Sequence, residues 1–332
     1  MPNFNPETDI PDLSGKVCLV TGGNAGLGEA TLAALAQHRP GKLYLAARSR
    51  ARAEAAVARI RATSAAAAAA DIEIVDMDLA SLESVAEAAA KIVREAPRLD
   101  LLQLNGGIAM VPHATTADGY EVQFGTNYLG HALLTQLLMP KLLATAKLPG
   151  ADVRIVSMSS VGHRKFELED GGILFDEVKT DMRRHTAQQL YGQAMLAKVL
   201  LARELARRYS TGPDPSPQQR QITATSLHPG TVKTGVWGGA TGASGLVWKF
   251  VVPAMVALTG VSNAEGAKTQ LWLSFADSRD VENGRYYEPV GQLGAEGRYT
   301  SDDALARTLW EWTETELAAH GAPGWPPVAA GP

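Results

Sequence analysis

The sequence has a single cysteine, Cys18, among its 332 residues, and this scarcity excludes an internal disulfide. Cys18 lies in the apolar run Val17–Val20, where a small buried hydrophobic side chain is expected. Long hydrophobic runs are also missing. The apolar stretch 245–258 is interrupted by Lys249 and Pro253 and is shorter than the ~20 residues that a membrane span needs. A disulfide-stapled domain and a transmembrane segment are therefore both disfavoured.

The chain also lacks a strong excess of charge and a recognisable targeting segment. Its formal net charge is −4, which gives no reason to expect nucleic acid or an anionic membrane as a partner. Residues 1–13 are polar and proline-punctuated, without the basic and apolar regions of a secretory signal. We therefore expect a cytoplasmic protein. The composition, 45% hydrophobic and 20% charged, supplies enough apolar material for a large core.

Short β-type runs alternate with helical segments along the chain, which predicts a doubly wound parallel sheet. With right-handed crossovers, about seven strands make a Rossmann-type α/β fold, a three-layer αβα sandwich in a single domain over 1–332. The predicted strands are 17–21, 42–46, 72–76, 99–105, 153–157, 223–227 and 285–287. The predicted helices are 26–37, 50–62, 82–95, 119–143, 188–209, 264–276 and 301–319. Other segments are predicted as a helix tail or variable loop (64–70), a surface loop (211–219) and a loose tail (321–332).

Glycines follow the first predicted strand in the segment Thr21–Gly28, which reads TGGNAGLG. They allow a tight turn and a close approach of the backbone to a pyrophosphate, and the helix that follows offers free N–H donors at its N-terminus. The spacing is TGxxxGxG rather than GxGxxG, but its place between a strand and a helix makes it a strong indication of a dinucleotide site. The candidate contacts in this turn are Gly22, Asn24, Gly26, Leu27 and Gly28.

The end of the second predicted strand bears on the choice of dinucleotide. An NAD site would place an acid here to accept hydrogen bonds from the ribose 2′-hydroxyl. The segment Tyr44–Arg50 has no carboxylate and places Arg48 in the turn. Arginine suits a 2′-phosphate, because its guanidinium makes bidentate, charge-assisted hydrogen bonds. We therefore predict NADP(H) as the cofactor, the alternative being that Arg48 lies on a solvated surface.

With these motifs the chain resembles the short-chain dehydrogenases/reductases over roughly residues 14–292. Asp78-Leu79 follows the third strand, where the family holds the adenine ring. Leu104–Gly107 stands where the family has Asn-Asn-Ala-Gly, and Pro229–Thr234 stands where it binds the nicotinamide end. The resemblance implies further cofactor contacts from Asp78, Leu79, Asn105, Gly106, Tyr191, Pro229, Gly230, Val232 and Thr234.

The resemblance also implies catalytic residues, because the family uses an Asn-Ser-Tyr-Lys tetrad. The matching positions are Asn127, Ser160 and Tyr191. Asn127 falls inside a predicted helix, where asparagine is a poor former, and in the family it holds a water in a proton relay. The alternative is a solvated helical asparagine. Ser160, rather than Ser159, matches the residue that hydrogen-bonds the substrate carbonyl in the family.

The family pattern Tyr-x-x-x-Lys is not completed here. Met195 stands at the lysine position, and Ala194 replaces the small hydroxyl residue before it. Methionine has no charge and no donor, so it cannot lower the pKa of Tyr191. We expect that pKa to stay near its usual value of about 10, which suits a general acid for carbonyl reduction better than a base for alcohol oxidation. Lys198, two turns on, is expected to have a surface or packing role, with a water-bridged contact as the alternative.

An aromatic segment follows the nicotinamide motif. Trp237, Trp248 and Phe250 lie among glycines in 235–262, the substrate lid by the family resemblance, and packing against the sheet is the alternative. A lid of this kind implies a lipophilic or aromatic small-molecule substrate. Residues 293–332 are expected to form a C-terminal helix and tail.

The segment Tyr120–His131 and the long loop after Ser160 resemble the retinol-dehydrogenase and fungal branch of the family. We predict an NADPH-dependent reductase of a lipophilic or aromatic carbonyl compound in secondary metabolism. Met195 leaves two alternatives, a non-redox cyclase, isomerase or dehydratase and a nucleotide sensor without turnover. No metal site is predicted. The resemblance allows a homodimer or homotetramer through the helices that carry Asn127 and Tyr191.

Overall fold

The computed structural model describes residues 4–210, 221–233, 241–242 and 260–327. Within these residues eight strands form one sheet in the order β3-β2-β1-β4-β5-β6-β7-β8. Strands β1 to β7 are parallel, and β8 pairs with β7 in the antiparallel direction. The strands are β1 (Val17–Thr21), β2 (Lys42–Ala47), β3 (Ile72–Asp76), β4 (Leu101–Leu104), β5 (Arg154–Met158), β6 (Thr223–Leu227), β7 (Tyr286–Glu288) and β8 (Gln292–Leu293).

Helices connect the strands and flank the sheet. A π-helical turn, Gly125–Leu129, joins α6 to α7. The helices are α1 (Pro6–Asp9), α2 (Gly26–Ala36), α3 (Arg50–Arg61), α4 (Ala65–Ala69), α5 (Leu82–Glu95), α6 (Val122–Phe124), α7 (Gly130–Ala146), α8 (Gly162–Lys165), α9 (Ala187–Arg208), α10 (Asn263–Phe275) and α11 (Asp303–Ala319). In this part of the chain, no helix combines the length and the apolar character that crossing a membrane requires.

Two apolar cores lie on opposite faces of the sheet. In β1, Leu19 belongs to one core, while Cys18 and Val20 belong to the other. This alternation follows from strand geometry, in which successive side chains point to opposite faces. All five residues of β1 are buried, as expected of a central strand covered by helices on both sides.

The predicted Rossmann-type sandwich is confirmed, with an eighth strand that the sequence did not indicate. β8 has only two residues, both exposed, after a turn at Gly291 with φ of 67°. A pair of exposed residues shows no hydrophobic alternation, so the pattern gave no strand signal there. The alanine run 64–70 contains the short helix α4, whose first turn is capped by the Ser64 hydroxyl. The predicted loop 211–219 lies outside the described residues.

The single helix predicted over 119–143 is wrong. The chain instead forms α6, the π-helical turn and α7, after a left-handed residue at Gly119 with φ of 84°. At Gly130 the helix backbone passes so close to the carbonyl oxygen of Leu79 that no Cβ would fit. A π turn widens the helix locally and leaves backbone groups free for other partners, and such turns are frequent at functional sites.

Candidate active site

A cleft of about 610 Å³ opens beyond the carboxyl ends of the parallel strands. It spans the point between β1 and β4 where the strand order reverses, the usual ligand site of a doubly wound sheet. The residues predicted from the sequence that line it are Gly22, Asn24, Gly26, Leu27, Arg48, Asp78, Leu79, Asn105, Gly106, Asn127, Ser160, Tyr191, Pro229, Gly230 and Val232. Thr234 and the aromatic residues of the predicted lid, Trp237, Trp248 and Phe250, lie outside the described residues.

The glycine-rich turn forms one wall of the cleft. Gly22 has φ of 67°, and a Cβ there would lie 2.7 Å from the Cα of Gly106. Gly28 is not among the lining residues. It packs behind the turn, where a Cβ would meet the carbonyl oxygen of Gly22 and lie 2.6 Å from Nδ2 of Asn105. Helix α2 begins at the turn after Ala25, whose side chain cannot cap it, so the first N–H groups stay available to an anion.

Hydrogen bonds tie the two sides of this crossover together. Nδ2 of Asn105 donates to the carbonyl oxygen of Thr21 at 2.9 Å, and the backbone N–H of Gly106 donates to Oγ1 of Thr21 at 2.8 Å. The cradle that the glycines form with the uncapped first turn of α2 fits a dinucleotide pyrophosphate.

Two arginines line the outer end of the cleft. Arg48 follows β2 as predicted, and Arg52, one turn into α3, was missed. In the described part of the chain, neither guanidinium is engaged in an ion pair, whereas their neighbour Arg50 is paired with Asp76 at 2.6 Å. Arg52 was missed because only the turn directly after β2 was considered, and not the first turn of the helix that follows it.

Asn127 is fully buried in the π-helical turn. Its Oδ1 accepts a hydrogen bond from the N–H of Ile108 at 2.8 Å, and its Nδ2 donates to the carbonyl oxygen of Ile108 at 2.9 Å. The alternative of a solvated helical asparagine is therefore wrong. The side chain holds the loop after β4 against the π-helical turn.

Ser160 and Tyr191 meet inside the cleft. The two hydroxyl groups share a hydrogen bond, and the N–H of Gly162 donates to Oγ of Ser160 at 3.2 Å. The hydroxyl of the neighbouring Ser159 is engaged elsewhere, because it donates to the carbonyl oxygen of Met195 at 2.9 Å. Burial raises the pKa of Tyr191, and the hydrogen bond with Ser160 acts in the opposite direction. At neutral pH the phenol is therefore protonated.

Lys198 is buried, so the surface role that was one part of the expectation is wrong, and the packing role is not contradicted. Lys198 is 1% exposed and lines the same cleft as Tyr191 and Met195. Its Nζ donates to the carbonyl oxygen of Leu104 at 2.9 Å and lies 3.2 Å from Nδ1 of His131. Burial lowers the pKa of Lys198 to about 7. The sequence showed only the helical spacing and could not place the amine beneath β4.

Further polar residues behind Ser160 were also missed. Nδ1 of His163 lies 2.6 Å from the carbonyl oxygen of Ser160, and its ring packs edge-on against Tyr286 at 4.6 Å. Burial lowers the pKa of His163, and it lowers that of His228 to about 4. Both imidazoles are therefore neutral at neutral pH and contribute no charge to the site.

The parallel sheet, the glycine turn at its switch point and the Ser-Tyr pair define a dinucleotide-binding enzyme of Rossmann type. Comparison with known proteins agrees with this class. The family model for short chain dehydrogenases matches residues 16–167. A short-chain dehydrogenase/reductase of Armillaria gallica is 35% identical over 312 residues, covering 93% of this chain and 92% of that protein. The chain therefore belongs to the short-chain dehydrogenase/reductase family, whose members are oxidoreductases that use nicotinamide cofactors.

Other relatives agree with this assignment. Retinol dehydrogenase 13 of Homo sapiens is 36% identical over 299 residues, covering 90% of this chain and 83% of that protein. Among solved structures, an uncharacterised protein from Mycobacterium paratuberculosis has a TM-score of 0.68 at 26% identity, covering 93% of this chain and 96% of that one.

Proposed function

We propose that the protein is an NADPH-dependent reductase of a lipophilic or aromatic carbonyl compound. The observation that carries this proposal is the neutral phenol of Tyr191, hydrogen-bonded to Ser160 in the cleft that holds the dinucleotide turn. A protonated phenol can donate to a carbonyl oxygen as negative charge develops on it. The cytoplasmic location and a role in secondary metabolism remain predictions.

The residues around the cleft fit NADP(H) better than NAD(H). Glycines and the uncapped start of α2 would hold the pyrophosphate. Arg48 and Arg52 would hold a 2′-phosphate, and the lining beside them includes no carboxylate at the end of β2. When bound, the cofactor would supply the hydride.

The chain's own groups would prepare the carbonyl for this transfer. Ser160 and Tyr191 would hydrogen-bond the carbonyl oxygen, and the proton of Tyr191 would pass to it as the alcohol forms. The raised pKa of Tyr191 keeps that proton in place at neutral pH. Asn127 would hold the loop after β4 in place beside the part of the cleft where the reaction takes place.

The lining of the cleft is more apolar than polar. Its apolar side chains include Ile108, Ala109, Met110, Val111, Met158 and Phe166, and the polar Ser159 and Lys165 lie beside them. Such a wall favours a lipophilic or aromatic compound through burial of apolar surface. The relative named retinol dehydrogenase 13 carries a lipophilic alcohol in its name, which supports the same class.

The test measures NADPH consumption with a panel of apolar aldehydes and ketones. We expect turnover with at least one of them, and Tyr191→Phe should lower kcat by about 10²-fold or more, because it removes the acid. Tyr299→Phe is the matched control, since that phenol bonds the carbonyl oxygen of Glu169 away from the cleft lining. Failure of every carbonyl to consume NADPH would contradict the proposal.

A non-redox reaction is the second candidate, and the observation behind it is Met195, an uncharged side chain that lines the cleft close to Tyr191. In this case Tyr191 and Ser160 would polarise a carbonyl without hydride transfer. The two candidates differ in stoichiometry. One NADPH consumed per product molecule supports the reductase, whereas product formed without NADPH consumption supports the non-redox catalyst.

A further inference from the structure

A buried pair of nitrogen atoms lies beneath the cleft, outside the Ser-Tyr pair. Nζ of Lys198 is 3.2 Å from Nδ1 of His131, and both side chains are nearly or fully inaccessible to solvent. Among the described residues, no carboxylate is paired with Lys198. An unpaired buried lysine is costly to a fold, so its position at the wall of a cofactor cleft calls for a functional reason.

His131 has too few protons for all its contacts. Its Nδ1 lies 2.8 Å from the carbonyl oxygen of Asn127, which can only accept, and 3.2 Å from the Lys198 amine. Its Nε2 lies 2.9 Å from Oγ1 of Thr21. Burial and the nearby amine of Lys198 lower the pKa of His131, so the ring is neutral and carries one proton.

Two arrangements are available to this network, and they differ in the charge of Lys198; the arrangement with an ammonium leaves the Asn127 carbonyl oxygen without its donor. With a neutral amine, Nδ1–H of His131 donates to the Asn127 carbonyl, and the Thr21 hydroxyl donates to Nε2. With an ammonium, Lys198 donates to Nδ1, Nε2–H donates to Oγ1 of Thr21, and that hydroxyl donates to the carbonyl oxygen of Gln103 at 3.3 Å. Thr21 also accepts the N–H of Gly106, so both arrangements reach the dinucleotide turn.

We infer that Lys198 brings a titratable amine to this site, where Met195 brings none, and that neutral His131 couples the charge of that amine to Asn127 and to the dinucleotide turn through Thr21. Lys198 lies two helical turns beyond Tyr191, whereas the lysine of the family pattern would lie one turn beyond it, at Met195. In a wall of low dielectric, the charge of Lys198 acts on the cleft over a longer distance than it would in water. The catalytic part of this inference rests on the proposed reductase function, whereas the network itself does not.

The first experiment follows the His131 tautomer in protein without cofactor or substrate. The protein is labelled with ¹⁵N-histidine, and the His131 signal is assigned by its loss in His131→Gln. As the pH falls through about 7, we expect the proton to move from Nδ1 to Nε2, because the pKa of Lys198 lies there. Lys198→Met should keep the proton on Nδ1 at every pH. Lys141→Met is the matched control, because that amine donates to the Ala96 carbonyl elsewhere.

A second readout is stability. Because the folded-state pKa of Lys198 lies below its unfolded value of about 10.4, its charge destabilises the fold fully below pH ~7, and the penalty fades as the pH rises to about 10. Lys198→Met should therefore raise Tm at pH 7, by an amount that shrinks at higher pH. An unchanged Tm difference across this range would contradict a titrating amine at this position.

The third readout is carbonyl reduction by the full enzyme. We expect carbonyl reduction to fall as the pH rises above ~7, because the amine of Lys198 loses its charge there. Lys198→Met should lower kcat/KM at pH ~6 by about tenfold or more and abolish this pH dependence, whereas Met195→Lys combined with Lys198→Met should recover most of the loss. A tautomer switch without any effect of Lys198→Met on reduction would overturn the catalytic role. If no carbonyl is reduced by any variant, the proposed function fails, and the tautomer and Tm results still decide the network.

Discussion

At the scale of single residues, the protonation state of the Tyr191 phenol bears on the direction of the proposed reaction. Its pKa is raised by burial, and the hydrogen bond with Ser160 offsets part of that effect. Reduction uses the protonated form, which dominates at neutral pH, while oxidation needs the scarce tyrosinate. The site is therefore suited to carbonyl reduction under ordinary conditions.

This asymmetry predicts the pH dependence of alcohol oxidation. The tyrosinate fraction grows about tenfold per pH unit below the pKa of the phenol, so kcat/KM for oxidation should rise at nearly that slope between pH ~7 and ~9. The measurement is the initial rate of NADP⁺ reduction with the alcohol product. Ser160→Ala should lower the rate and delay its rise, because it removes the bond that lowers the pKa of Tyr191. A rate that reaches its plateau near pH 7 would show a phenol with a depressed pKa.

Most of the site residues predicted from the sequence line the cleft, but the burial of Lys198 was not predicted. The glycine turn, Arg48 and the Ser160-Tyr191 pair each lie in a local pattern that has one physical interpretation. Lys198 acquires its role only from Leu104 and His131, which are distant in the chain. Helical spacing gave the separation of Lys198 from Tyr191, but it could not show that the Lys198 amine would donate to the carbonyl oxygen of Leu104 at the end of β4.

At the scale of elements, the packing of α2 against the dinucleotide turn depends on Gly28. Its backbone is helical, so intrinsic propensity alone would favour alanine there by about 1 kcal/mol. The contacts around Gly28 outweigh this preference for alanine. A Cβ at this position would collide with the carbonyl oxygen of Gly22 and approach Nδ2 of Asn105 to 2.6 Å.

We therefore expect Gly28→Ala to destabilise the protein by about 1–3 kcal/mol, which is the usual cost of overpacking. Nicotinamide-nucleotide binding should weaken as well, because the turn must shift to make room. Urea denaturation measures the first effect, and fluorescence titration with NADPH the second. Ala33→Ser, on a half-buried position of the same helix, is the control for a small change in side-chain size. A stabilised Gly28→Ala variant would mean that helix propensity outweighs the contact.

Element order was predictable because each parallel strand and its crossover helix leave a regular hydrophobic pattern. The interruption between α6 and α7 was not, because a π-helical turn keeps helical periodicity on both sides. The close approach of Gly130 to Leu79 involves the loop after β3, far away in the sequence. Only tertiary packing reveals that contact.

At the scale of the whole molecule, α11 covers helices that carry the active site. Thr313 lies 2.6 Å from the phenol oxygen of Tyr128 in the π-helical turn, and Arg203 of α9 pairs with Asp303 at 2.7 Å. Leu309 is 1% exposed and belongs to the same apolar core as α9. The C-terminal helix is thus packed into the main core of the domain.

This position bears on self-association, because the family resemblance allowed dimers through the helices that carry Asn127 and Tyr191. With α11 lying over α9 and the π-helical turn, part of that surface is already buried within one chain. We therefore predict that the protein sediments as a monomer at micromolar concentrations. A dimer whose subunits cross-link through α9 would contradict the prediction.

A variant that weakens the packing of α11 against α9 is a second test of the predicted monomer. Leu309→Asp places a charge in the seam between α11 and α9, where burial of an unpaired carboxylate is strongly unfavourable. We expect either self-association through the uncovered face of α9 or loss of the fold, which far-ultraviolet circular dichroism separates. Leu305→Asp, on the half-buried side of the same helix, is the milder control and should stay monomeric. A folded, monomeric Leu309→Asp variant would show that α11 is not what keeps the chains apart.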